Sequence, residues 1–160
     1  MPANHRRATQ RRLAFFEIVR EAIVTGKPSY WTVRDDLWER LPESHPFISK
    51  LEDTERKAGR STHGISPYTH ISDVLMWSIL VPAADAGDVA LAERVFAVIE
   101  DFLGAGDPAL TECVQIRVVA RIGQSPALTD MARAYAGRHL REAMRQLTED
   151  DSWLIAAGRQ

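Results

Sequence analysis

Residues 87–123, GDVALAERVFAVIEDFLGAGDPALTECVQIRVVARIG, read as two consecutive amphipathic helices joined by a tight turn, and this constrains the fold more than any other part of the chain. In the first helix Ala92, Val95, Phe96, Ile99, Phe102 and Leu103 recur at helical spacing and form one apolar stripe, leaving Glu93, Ala97, Glu100 and Asp101 to face away. Gly104 and Gly106 close it. Asp107 then supplies a carboxylate for the unpaired amides of the next helix, and Pro108 occupies the first helical position, where no donor is required. That second helix, ended by Gly123, is apolar on most sides. Its Arg117 and Arg121 lie one turn apart, so each is expected to reach a carboxylate, with Glu100 and Asp101 as candidates, or a helix C-terminus.

The remaining segments repeat the same periodicity. Residues 1–10 read as a flexible basic leader, and Leu13, Phe16, Val19, Ile23 and Val24 predict a helix over 11–25 that Gly26 stops. A short helix follows Ser29-Tyr30-Trp31-Thr32 and runs through Leu41, before Pro42. Between His45 and Pro67 apolar residues are sparse: Phe47, Ile48 and Leu51 support one or two helical turns, and 57–67 has the glycine and proline content of an exposed, mobile loop. The next helix, ISDVLMWSIL, is apolar nearly all round, which predicts burial of Trp77 as well as its neighbours; Trp38 is likewise assigned to the core. Pro82 should end that helix near Leu80 and start a shorter piece. From Pro126 one long helix carries Arg133, Arg138, Arg141 and Arg145 along its wetter flank, and the tail docks Trp153, Leu154 and Ile155. No segment shows strand-length alternation between hairpin turns. The expected fold is all-α: a single-domain helical bundle over 11–160 with HEAT-like helix pairs, about six or seven helices in all.

The segment GDPALTECVQIRVVARIG resembles the second helix of a HEAT-type repeat through Asp107, Pro108, Val118, Ile122 and Gly123, with no second copy at a fixed period. The helices on either side of Gly104, with VFAVIEDFL before a short acidic turn, resemble the central part of small helical immunity proteins of bacterial polymorphic-toxin systems. The resemblance implies a non-enzymatic, protein-binding module that occludes a cognate toxin. Its partner-binding candidates are Glu93, Glu100, Asp101 and Glu112 as polar contacts, with Tyr30 and Trp31 as aromatic anchors.

Other chemistries find less support. A net charge of -2 creates no field that would attract a polyanion. Nucleic acid is therefore the weaker alternative, served by Arg6, Arg7, Arg11 and Arg12 in the leader and first helix and by Arg138, Arg141 and Arg145 near the C-terminus. His45, His63 and His70 lack the cysteine cluster or HExxH spacing of a metal site and are read as exposed loop histidines, so neither metal nor cofactor is expected. No nucleophile is paired with a base, and no Gly-rich phosphate loop is present, so no catalytic residue is assigned. The single Cys113 has apolar neighbours and reads as a small buried hydrophobe suited to a reducing cytoplasm. Glu17, Arg20 and Glu21 interrupt the early apolar run, and the 74–84 run is too short to span a bilayer, so no membrane segment is expected.

Overall fold

In the computed structural model, which describes Glu17 and residues 26–155, seven helices and no strand are present among the described residues. A 3-10 turn, Tyr30–Thr32, leads into α1 (Val33–Arg40). The turn Pro42–Ser44 leads into α2 (His45–Lys57), and a further turn, Thr62–Gly64, precedes α3 (67–86). Next come α4 (Val89–Gly104), α5 (108–123), α6 (Pro126–Tyr135) and α7 (Arg138–Thr148), with a last 3-10 turn at Asp151–Leu154. Glu17 is helical and exposed, but the rest of the helix expected over 11–25 lies outside the described residues, as does the leader. No helix among the described residues is long and apolar enough to cross a membrane.

The α4–α5 pair follows its sequence pattern closely. Asp88 caps α4 by accepting from Leu91 N at 3.1 Å, and Asp107 caps α5 by accepting from Ala109 N at 3.0 Å. Ala92, Val95, Phe96, Ile99 and Phe102 are buried, joined by Val98, while Leu103 is half-buried. These side chains meet Leu75 and Ile79 of α3, Val114 and Val118 of α5, and Leu140 and Met144 of α7 in one contiguous core. Cys113 belongs to it, and burial pushes its thiol up to about 11, well into the unreactive range at neutral pH.

Several expectations are corrected. The helix ISDVLMWSIL does not break at Pro82, because His70–Leu80 is wound as a π-helix that passes directly into Val81–Ala86. Val81 N–H reaches back to Met76 O, five residues away, and Pro82 follows where the winding tightens. The wider turn relieves the clash a proline ring makes with the preceding turn. It also alters the angular spacing of the side chains, leaving Trp77 half exposed beneath the Arg121 guanidinium rather than in the core. A second π-helical stretch, Gln115–Val119, lies within α5.

The single long helix expected from Pro126 is two helices, α6 and α7, broken at Ala136, whose backbone is extended (φ -64, ψ 138). Of the three tail residues expected to dock, Trp153 does so, while Leu154 and Ile155 stay exposed. Helix α2 extends well beyond the one or two turns its apolar residues support. Arg56 bridges Glu52 and Asp53, Arg34 of α1 reaches Glu52 at 2.7 Å, and Arg60 fastens the following loop to Glu55. Ion pairs one turn apart thus supplement a thin apolar face.

Candidate functional site

The segment before α1 is held from both sides. Ser29 N donates to Thr32 Oγ1 at 2.9 Å, and Tyr30 N donates to Asp107 Oδ2 at 2.7 Å. Asp107 thus caps α5 with one oxygen and grips the Tyr30–Thr32 turn with the other, fixing two neighbouring aromatics against the start of α5. The rings of Tyr30 and Trp31 meet edge to face, 4.9 Å apart at 86°, and Tyr30 meets Tyr68 of α3 at 6.1 Å. The Arg117 guanidinium lies over the Tyr68 ring at 5.4 Å.

Beside this aromatic turn lies a cleft of about 320 Å³, lined by Tyr30, Trp31, Arg34, Asp35, Glu52, Thr62, His63, Ile65, Pro67 and His70. Ser66 caps the start of α3 by accepting from Tyr68 N at 3.2 Å, which places His70 one turn into the helix. His70 is not an exposed loop histidine: it is 4% exposed. Its Nε2 is buried and has no hydrogen-bond partner.

Burial pushes the His70 imidazole below its ordinary range, opposed by the Glu52 carboxylate. The folded chain therefore keeps the ring neutral at a pH where the unfolded chain protonates it, near about 6.5. Above that pH the ring adds no pH dependence. As the pH falls through it, the unfolded state binds a proton that the folded state refuses, and stability drops by roughly 1.4 kcal/mol for each unit separating the two pKa values. The Glu52 carboxyl, held below its usual range by Arg34, adds its loss only at the lower pH of carboxylates. We expect His70→Phe to flatten the fall of Tm between about pH 7 and 5, read by thermal unfolding. Parallel curves for the two proteins would show that His70 titrates the same way folded and unfolded.

The other site candidates are dispersed. Glu112 is exposed on α5, close enough to act electrostatically on Tyr68, and Glu93 is exposed on α4. Asp101 pairs with Arg40 at 2.7 Å. Glu100 accepts from His139 N at 2.6 Å, His139 Nδ1 at 2.8 Å and Leu140 N at 3.0 Å, capping α7 from α4. Glu100 and Asp101 thus do not pair with Arg117 and Arg121, which lie over the rings of Tyr68 and Trp77. A second, more open cleft of about 560 Å³ gathers Glu100, Asp101, Arg40, Arg138 and His139, with none of the aromatic turn's residues in its lining. The six protein-binding candidates accordingly fall on more than one face.

Of the arginines proposed for phosphate, Arg6, Arg7, Arg11 and Arg12 lie outside the described residues and Arg138 is exposed. Arg141 is turned inward: it donates to the carbonyls of Arg133, Ala136, Trp153 and Ile155. Arg145 pairs with Glu142 at 2.8 Å and Asp151 at 3.5 Å. His45 stacks on Trp38, centroids 3.8 Å apart, with Nε2 at 2.7 Å from Trp38 O. Among the described residues no group of three or more His, Cys, Asp or Glu side chains is placed to hold a metal ion.

Reading the sequence alone overlooks Glu52 and His70 as parts of one cleft, and Tyr68 as the ring that meets Tyr30 beside it. The usable signal was the all-round apolar character of the helix that His70 begins, since a histidine on such a helix is carried into the interior with it. No family model, curated protein or solved structure matches this chain.

Proposed function

We propose that this chain is a non-enzymatic protein-binding module, and specifically an immunity protein that occludes a cognate bacterial toxin. The observation that carries the binding reading is Trp31, which is 54% exposed yet held edge-on against Tyr30 by a turn pinned to Asp107. A large aromatic presented at the surface on a rigid support loses little conformational freedom on docking, the usual property of an interface anchor. The exposed carboxylates Glu93 and Glu112 would act at the rim, influencing encounter rate more than residence time. The immunity assignment draws on the resemblance of the α4–α5 segment. The inward-facing Arg141 and the paired Arg145 favour this reading over nucleic-acid binding.

The test has two parts. Co-expression with the product of the neighbouring gene should relieve the growth arrest that product causes, and absence of protection removes the immunity assignment. With the partner in hand, Trp31→Ala should weaken binding about 30-fold, equivalent to roughly 2 kcal/mol, measured by calorimetry, with little change in Tm. Unchanged affinity would remove Trp31 as the anchor.

A further inference from the structure

Two cations in the segment that most constrains the fold are left without a charge partner. Arg117 and Arg121 lie one turn apart on α5, and among the described residues neither makes an ion pair or a hydrogen bond. Each guanidinium is instead laid over an aromatic ring of α3, Arg117 at 5.4 Å from the centroid of Tyr68 and Arg121 at 4.0 Å from that of Trp77. A ring face is no carboxylate, so the N–H donors of both guanidiniums stay available to a planar oxyanion. The rings also confine the two side chains, which therefore lose less freedom on pairing than an unsupported surface arginine does. Apolar surface accompanies the cations. Trp77 and Ile116 are each about half exposed, and they belong to the π-helical stretches of α3 and α5, which pack against each other. Ile116 precedes Arg121 by about one turn of the π-helical winding, which stacks the two on the same side of α5.

We propose that the α3–α5 face docks an acidic segment of a protein partner, whose carboxylates pair with Arg117 and Arg121 while its apolar side chains cover Trp77 and Ile116. Charge complementarity selects this occupant. A continuous polyphosphate would meet Glu112, exposed about one turn before Arg117, and Asp73, exposed one turn before Trp77, on a chain whose net charge is already -2. Separate carboxylates spaced to reach two guanidiniums, with hydrocarbon between them, avoid both. Once covered, such pairs are screened less than open surface pairs and fix the register of the docked segment. The inference goes beyond the toxin reading, because it stands on α3 and α5 alone and holds whether or not Trp31 is an anchor.

A helical peptide of about 12 residues, bearing two glutamates one turn apart beside leucines, is titrated into the full chain, as is a control with glutamine at both positions. NMR at the Trp77 indole and at the Arg117 and Arg121 Nε–H groups should show saturable shifts from the glutamate peptide, with Kd on the order of 0.1 mM, and about tenfold weaker binding of the control. Arg117→Gln and Arg121→Gln together should abolish the glutamate peptide's advantage. Should that variant fail to fold, raising salt from about 0.05 M to about 0.5 M should close most of the same gap in the unchanged chain. Equal affinity for the two peptides, no shift from either, or an advantage that survives the double substitution or the salt overturns the proposal. Inorganic phosphate or a single-stranded oligonucleotide that saturates the same resonances more tightly assigns the surface to a phosphate ligand, and shifts on concentrating the chain alone assign it to a second copy. Either result overturns the acidic protein segment. The Trp31→Ala measurement reads the aromatic turn instead, so the two readings fail separately.

Discussion

Trp153→Ala is expected to lower stability by about 3–5 kcal/mol, a fall in Tm of roughly 10 °C for a chain of this size. The indole is 1% exposed and sits among the core side chains, although it comes from a short turn beyond the last helix. That turn is assembled for the purpose. Glu149 adopts a left-handed backbone (φ 53) to reverse the chain, and Asp150 accepts from Ser152 N at 2.9 Å to start the 3-10 turn. Arg133 lies over the ring at 4.1 Å, and Arg141 donates to the Trp153 carbonyl at 3.2 Å. Removing the ring leaves a cavity that these polar fastenings cannot close. Leu154→Ala, next in the chain but exposed, should change stability by less than about 0.5 kcal/mol, and comparable losses for both would mean the turn is not docked through Trp153.

The same strap separates two roles for Arg141. A phosphate contact could be removed with little effect on folding, whereas a guanidinium bonded to four carbonyls of the α6 end and the tail cannot. Arg141→Ala should therefore destabilise by about 2 kcal/mol, since charged hydrogen bonds are lost and partly buried carbonyls lose their donor. Urea unfolding measures this directly, and a silent substitution would restore Arg141 to the candidates for an external anion.

Local signals were legible where the physics is local. Asp107-Pro108 marks a helix start because a capping carboxylate and a donor-free first residue act within two positions, and the α4 stripe reads correctly because an ordinary α-helix keeps its period. Trp77 reads wrongly because that period fails in a π-helix, and no residue type in HISDVLMWSIL announces the change of winding. The length of α2 depends on Arg34 of α1 and on ion pairs along its own surface, which the apolar pattern does not count. The functional candidates were harder still. Asp107 was legible as a cap, but its second oxygen binds Tyr30 across 77 residues, and that long-range contact helps set the aromatic turn beside His70. Glu100 read as a solvent-facing carboxylate because its helix position points away from the α4 stripe, while its donors lie in a helix start 39 and 40 residues further on.

Glu100 carries the second large expected effect, and a coupled pair of substitutions tests it. The carboxylate satisfies two backbone amides at the start of α7, where the helix dipole also favours negative charge, and it holds the His139 ring. Glu100→Ala should lower stability by about 2–3 kcal/mol, more than an ordinary surface cap, because the side chain is only 22% exposed and its donors would be left half-buried. Asp101→Ala, which breaks a solvent-exposed pair with Arg40, should cost less than about 1 kcal/mol. Gly137 provides the second arm. A Cβ there would lie 2.5 Å from Glu100 Cδ, so Gly137→Ala must displace the capping carboxylate and lose part of the same interaction. Gly137→Ala should thus be clearly destabilising in the otherwise unchanged chain and close to neutral in the Glu100→Ala background, a coupling of about 1 kcal/mol or more in a double-mutant cycle. Additive effects would mean that the two residues act independently. A normal Tm for Glu100→Ala together with weakened partner binding would move Glu100 from the interior of the fold to the interface.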